Sequence, residues 1–225
     1  MSIRRISFAE GEYYHIYNRG NSKQKIFLDR KDFNHFLELV FVCNSERNIN
    51  FRDLFQNSDT VFDFDRGETL VDIGAYCLMP NHFHILIKER KSGNISLFMQ
   101  KLATAYAMYF NKRYNRSGSL FEGKFKSQHV NSDRYLKYIF SYIHLNPVKI
   151  IDSKWKEMGI KDKNEAYNFC KQYVYSSLCA SDQERTEEYK RLLNMAVFPK
   201  YFMNASENET EIFEWLSFPR QDLGK

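Results

Sequence analysis

His82 and His84 stand one residue apart in the run Met79-Pro80-Asn81-His82-Phe83-His84-Ile85-Leu86-Ile87. In an extended segment successive side chains point to opposite faces, so both imidazoles share one face and Phe83 turns to the other. Imidazole is the commonest transition-metal ligand, and a pair of them on a rigid strand is a candidate metal site. An H-x-H triplet is short and arises by chance in many proteins, so the pair needs support from elsewhere in the chain.

That support comes from Tyr135-Leu136-Lys137-Tyr138-Ile139-Phe140-Ser141-Tyr142-Ile143-His144-Leu145-Asn146-Pro147-Val148. Ser132-Asp133 supplies an N-cap and Pro147 an end, which predicts a helix of about three to four turns. Residues four apart share a helix face, and this aligns Tyr138, Tyr142 and Asn146. A phenol one turn from a carboxamide, near two imidazoles, would put a nucleophile and metal ligands in one site. The competing reading is an amphipathic helix whose tyrosines pack in the core with their hydroxyls at the rim.

The elements that must position these groups follow from hydrophobic periodicity. Residues 13–18 alternate as a strand, 29–43 repeat at helical spacing, and 71–88 alternate again as a strand. Residues 95–114 read as a helix through Leu97, Phe98, Leu102, Ala105, Tyr109 and Phe110. A short strand over 119–130 follows the Arg116-Ser117-Gly118 turn, and 133–145 is the tyrosine helix. This order predicts an α+β fold, an antiparallel sheet with helices on one face. Residues 1–150 form the expected catalytic domain, and 151–225 a mainly helical C-terminal extension with an acidic tail.

Within the first unit, residues 44–70 read as an insertion. Its acids Asp53, Asp59, Asp63, Asp65 and Glu68 could form a cation site, but the alternating Val61-Phe62-Asp63-Phe64-Asp65 followed by Arg66-Gly67 fits a hairpin arm better. In the tail, Glu207, Glu209, Glu211 and Glu214 flank Phe213 and Trp215. Such a segment could dock on the body, mediate dimerisation or shield a basic groove.

Charge points to a partner. The 225-residue chain carries a formal net charge of +5, yet residues 88–149 hold twelve Lys/Arg against three acids, so the remainder is net acidic. Tyr106, Tyr109, Phe110, Tyr114, Phe121 and Phe125 interleave with this basic block. Cations meeting phosphates and aromatic faces stacking on unpaired bases are what a single-strand binder needs. Lys112, Arg113, Arg116, Lys124 and Lys126 are the candidate phosphate contacts. The four cysteines are scattered with no C-x-x-C pair, which disfavours structural zinc and a disulfide framework and predicts free thiols in a reducing cytoplasm. The N-terminus lacks a signal-peptide apolar core and no run reaches transmembrane length, which predicts a soluble protein.

Several ordered motifs together resemble the single-tyrosine HUH transposases, and among them the REP-associated tyrosine transposases. Tyr14-His15-Ile16-Tyr17-Asn18-Arg19-Gly20-Asn21 is similar to an opening H-x-Y-N-R-G-N, and Tyr76 to His84 to the segment that names the family. Tyr106 to Arg113 and Arg116 to Lys126 resemble Y-F-N-R-R…R-S-G-x-L-W-x-x-R-F-K, with Phe121 in place of tryptophan. Tyr142-Ile143-His144-Leu145-Asn146-Pro147-Val148 matches the nucleophile helix. Tyr173-Val174-Tyr175-Ser176-Ser177 resembles Y-x-W-S-S, with Tyr175 replacing tryptophan.

The resemblance implies the ferredoxin-like HUH version of the α+β fold and a metal-dependent enzyme that cleaves and rejoins single-stranded DNA at hairpin ends. Tyr142 would be the nucleophile, leaving a 5′-phosphotyrosine link and a free 3′-hydroxyl. His82, His84 and Asn146 would hold one divalent ion, magnesium or manganese, and Arg19 of the opening motif would join the DNA contacts. The covalent link conserves the phosphodiester's energy, consistent with the lack of a G-x-x-x-x-G-K-[ST] loop. His144 points to another face of the helix and reads as structural or DNA-contacting; His15 and His129 are auxiliary candidates, and His35 reads as filler. Two other functions compete: a catalytically silent regulator that binds single-stranded DNA hairpins, and a hydrolytic nuclease using water. The resemblance fits either a homodimer or a monomer.

Overall fold

A computed structural model describes residues 8–47, 60–179, 183–200 and 209–216. Strand β1 (Tyr13–Arg19) leads to helix α1 (Arg30–Cys43); β2 (Val71–Met79) and β3 (His82–Glu89) follow, then α2 (Asn94–Arg113), β4 (Lys126–Val130) and α3 (Asp133–His144). The four strands form one sheet in the order β2-β3-β1-β4, with every pairing antiparallel. This is the ferredoxin-like β-α-β-β-α-β arrangement. Among the described residues no helix is long and apolar enough to cross a membrane.

Local chemistry sets the boundaries. The Asp29 side chain accepts from the backbone N–H groups of Lys31 and Asp32 to start α1, and Ser132 accepts from Tyr135 to start α3 as the sequence predicts. The single strand expected over 71–88 is instead a hairpin. Pro80 has no N–H to offer a ladder, Asn81 accepts turn geometry, and the chain reverses to set Met79 against His82 and Cys77 against His84.

Alternation then sorts the side chains. Phe83, Ile85 and Ile87 join Tyr14 and Ile16 in a core with Phe36, Leu37 and Val40 of α1 and Phe98, Leu102 and Tyr106 of α2. His82, His84 and Leu86 take the opposite face, where Ala75, Cys77, Met79 and Leu86 pack against Leu136, Ile139, Phe140 and Ile143 of α3. Helices therefore cover both faces, not one as expected. The cause is visible in β2, which is buried along its whole length and needs apolar cover on each side.

Among the described residues, 61–65 form no strand of the expected hairpin arm. Val61–Asp63 forms a 3₁₀ turn, and its Phe62 packs between Phe41 and Tyr189 at 5.2 and 5.7 Å between ring centroids. Asp63, Asp65 and Glu68 pair with Arg191, Arg47 and Arg90 at 2.7, 3.1 and 2.9 Å, which accounts for these acids without a cation; Asp53 and Asp59 lie outside the described residues.

After α3 come the short turns α4 (Val148–Ile151) and α5 (Trp155–Met158), then α6 (Lys163–Gln172), α7 (Gln183–Lys190) and α8 (Glu209–Leu216). Of the three roles open to the tail, docking on the body is what 209–216 does. Ile212 is fully buried and Trp215 packs on Phe140 of α3 at 6.3 Å. Glu207 lies outside the described residues. The Tyr173–Ser177 motif runs along the outer edge of β2: Leu78 N–H donates to Tyr175 O, Ser177 N–H to Tyr76 O, and the Tyr173 hydroxyl to Leu78 O.

Candidate active site

Directly opposed residues of an antiparallel pair share a face. His82 opposes Arg19, His84 opposes Tyr17, and His15 opposes Leu86 and Gln128. One sheet face therefore carries His15, Tyr17 and Arg19 of β1 beside His82 and His84 of β3. Helix α3 lies over this face and brings Tyr142, half-buried, edge-on to His84 at 5.5 Å and to His15 at 6.0 Å. The Tyr138 ring stacks on Tyr142 at 6.1 Å, and Trp155 flanks it at 6.4 Å. Asn146 is fully buried and sets its Oδ1 3.3 Å from His82 Nε2.

The sequence-predicted quartet of His82, His84, Tyr142 and Asn146 thus converges. Tyr106 does not belong to it: it lies on the other face, with its hydroxyl donating to Ile26 O. His129 also faces away, packed against Tyr14 and paired with Glu12 at 2.7 Å. His144 is a structural residue. Burial pushes it down to about 3, its ring packs on Phe140, and its Nε2 meets the Ser177 hydroxyl at 2.8 Å, so it ties α3 to the edge motif. Sequence reasoning passed over Tyr17, although the alternation of β1 puts it on the face of His15.

Hydrogen bonding around the imidazoles defines what they can ligate. Asn81 Nδ2 donates to Lys23 O at 3.2 Å, which fixes that amide and turns its Oδ1 to His82 Nδ1 at 2.6 Å. A carbonyl oxygen at that position requires a proton on Nδ1, so in the neutral imidazole the lone pair sits on Nε2. This lone pair faces Asn146 Oδ1, itself an acceptor, while Asn146 Nδ2 is buried with no partner. Turning the Asn146 amide over would pair Nδ2 with Nε2 and orphan the buried Oδ1 instead. A positive charge between them removes the conflict, either a second proton on the imidazole or a metal cation that accepts both lone pairs, so the residues fit a metal. His84 Nδ1 meets His15 Nε2 at 2.8 Å, an outer contact that leaves His84 Nε2 as its ligating atom when Nδ1 donates. Among the described residues no three His, Cys, Asp or Glu side chains converge as a metal site, so a cation here depends on the Asn146 amide.

The candidate phosphate contacts divide by face. Arg19 lies beside His82 and is held by the Glu122 carboxylate, with Nη2 2.9 Å from Oε1. Lys126 opposes Tyr17 and is exposed; Lys124 is exposed in the loop leading into β4. Lys112, Arg113 and Arg116 sit at the end of α2, which covers the other face. Lys112 is exposed there. Arg113 donates to the fully buried Asp32 at 2.7 Å and to Asp29, and Arg116 lies over the Phe110 ring at 5.5 Å. Arg113 is half-buried and pairs with one buried and one exposed acid.

Comparison with known proteins adds three findings. A family model described as "Transposase IS200 like" matches residues 12–146, well over half of the chain. No curated protein matches. The solved structure of a REP-associated tyrosine transposase bound to a REP hairpin matches with a TM-score of 0.44 at 14% identity, covering 79% of this chain and 82% of that one.

Proposed function

The chain belongs to the IS200-like transposase family, and from that premise we propose that it cleaves and rejoins single-stranded DNA at hairpin ends through a 5′-phosphotyrosine link to Tyr142. The observation that carries this reading is the placement of Tyr142 against His84 while His82 Nε2 faces Asn146 Oδ1. His82, His84 and Asn146 are the residues that would hold a divalent cation, magnesium or manganese, which supplies Lewis acidity and orientation at the scissile phosphate. Two nitrogen donors favour manganese over the harder magnesium in vitro.

The remaining chemistry belongs to the chain. The Tyr142 Oη–P bond forms as the P–O3′ bond breaks; the phenol proton leaves to solvent and the departing 3′-oxygen takes one up. Rejoining is the reverse, with a 3′-hydroxyl attacking the phosphotyrosine, so no nucleotide cofactor is consumed. Helix α3 orients the phenol, since Tyr138 and Trp155 flank its ring and restrict its swing. Arg19, Lys124 and Lys126 meet the strand's phosphates, and Tyr17 offers an aromatic face beside them. We assign residues 1–150 to this catalytic unit and 151–225 to the extension that supports it.

The test is an adduct assay. Wild type and Tyr142→Phe are incubated with labelled single-stranded hairpin oligonucleotides from the flanks of the gene, with manganese or EDTA, and resolved on a denaturing gel. A metal-dependent covalent band absent from the variant is expected. Cleavage that persists in Tyr142→Phe without an adduct would replace this reading with a water-using nuclease, and binding without cleavage would replace it with a silent hairpin-binding regulator.

A further inference from the structure

The turn between β2 and β3 holds a side chain that belongs to neither the ligand set nor the nucleophile helix. Asn81 bridges two partners: its Nδ2 donates to Lys23 O at 3.2 Å, and its Oδ1 lies 2.6 Å from His82 Nδ1. The loop that supplies the Lys23 carbonyl is wrapped tightly on the turn. Gly20 N–H donates to Asn81 O at 2.9 Å, and the N–H groups of Ile26 and Phe27 both donate to Pro80 O, at 2.8 and 3.1 Å. From the other side Asn21 N–H donates to Leu120 O. Ser22 and Lys23 are held at φ 53° and 61°, a left-handed conformation that non-glycine residues adopt when surrounding contacts enforce it. That conformation directs the Lys23 carbonyl at the Asn81 amide.

We propose that Asn81 is a positioning residue that fixes His82 in its Nδ1–H tautomer, with the Gly20–Phe27 loop as the brace that keeps the Asn81 amide from turning over. The consequence is that Nε2, not Nδ1, presents its lone pair to the site beside Asn146. An unrestrained neutral imidazole can carry its proton on either nitrogen, and a proton on Nε2 would hydrogen-bond Asn146 Oδ1 and close the position a cation needs. An outer partner of this kind acts through the ligand it orients, and its loss typically lowers metal affinity 10–100-fold. The metal consequence rests on the proposed cation site; the tautomer does not.

The test uses the full-length protein and its Asn81→Leu variant, which keeps the branched side-chain shape and removes both hydrogen bonds. Long-range ¹H–¹⁵N spectra of the metal-free proteins report which His82 nitrogen is protonated, with His82→Ala identifying the resonance. Manganese titration by calorimetry reports affinity, and a thermal melt confirms that the variant folds. The expected result is an Nδ1–H signal in wild type that is lost or shifted to Nε2–H in Asn81→Leu, with manganese binding weaker by about 10–100-fold. An Nε2–H signal in wild type, or a variant that keeps the Nδ1–H tautomer, overturns the proposal; so does unchanged manganese affinity in the variant. If wild type binds no manganese yet shows the Asn81-dependent Nδ1–H tautomer, the cation reading fails and the positioning role stands.

Discussion

Arg113→Met separates two roles for one arginine. As a phosphate contact, Arg113 would contribute to single-strand affinity and its salt dependence. As the structure places it, it compensates the Asp32 carboxylate, which is fully buried. Removing one partner of a buried pair costs about 3–5 kcal/mol because the remaining charge is left unpaired. Here Asp32 keeps three donors, the Leu28 N–H at 2.8 Å and the Tyr109 and Tyr114 hydroxyls at 3.0 and 2.8 Å. These place the loss at the low end, about 3 kcal/mol. For a chain of this size, about 2–4 °C per kcal/mol makes this a fall in Tm of roughly 6–12 °C. Thermal and urea unfolding measure it, and a salt series of single-strand binding at a temperature where the variant is folded measures the other role. The salt slope is expected to stay at the wild-type value. Unchanged stability with a slope reduced by about 0.7, the amount for one lost single-strand phosphate contact, would refute the ion-pair assignment.

Two further outcomes follow from the placement of charges. Lys126→Gln, on the sheet face of the histidines, should lower the single-strand salt slope by about 0.7, whereas Lys112→Gln on the far side should leave it unchanged; equal effects from both would contradict the division by face. His144 is neutral in the folded protein, with burial holding it at about 3 against an ordinary value of 6.5. The unfolded chain therefore binds the extra proton first, and stability of the metal-free protein is full above pH 6.5 and falls as pH drops from there toward 3, by up to about 1.4 kcal/mol per pH unit. Denaturant midpoints of wild type and His144→Gln between pH 7 and 5 should show this slope in wild type and its loss in the variant; parallel curves would exclude it.

Residue patterns made the quartet legible because each member obeys a local rule. His82 and His84 follow strand alternation, and Tyr142 and Asn146 follow helical spacing. The hairpin between them was missed for a specific reason. On β2 the residues over the catalytic face are Ala75, Cys77 and Met79, and on β3 they are His82, His84 and Leu86, so the phase changes parity across Pro80-Asn81. A strand changes parity only at a bulge, as β2 does between Ile73 and Ala75, or at a turn, and the proline marks the turn here. The ion pair of Arg113 was not legible because its partner, Asp32, lies 81 residues away, and nothing in the basic run distinguishes a solvated guanidinium from one paired with a buried acid. The contact between His15 and His84 is invisible for the same reason, as it depends on the β1–β3 register.

The site therefore depends on how firmly α3 is held. On the proposed mechanism a phenol on a helix must meet a phosphate oriented by groups on a strand, and a misplacement of about 1 Å is enough to lose much of the rate. Sheet packing alone would grip α3 along one side. Here further contacts engage it: Phe140 packs on Trp215 of α8, Lys137 lies 5.6 Å above the same indole, and His144 bonds Ser177 beside the edge of β2. Trp155 closes on Tyr142 itself from α5. All three of these partners, Trp215, Ser177 and Trp155, lie beyond residue 146, where the family match ends. They clamp the helix to the sheet of its own chain. On the proposed mechanism the order of the sequence reflects a division of labour: the matched segment would supply the reacting groups, and the following residues supply contacts that hold the helix bearing the phenol.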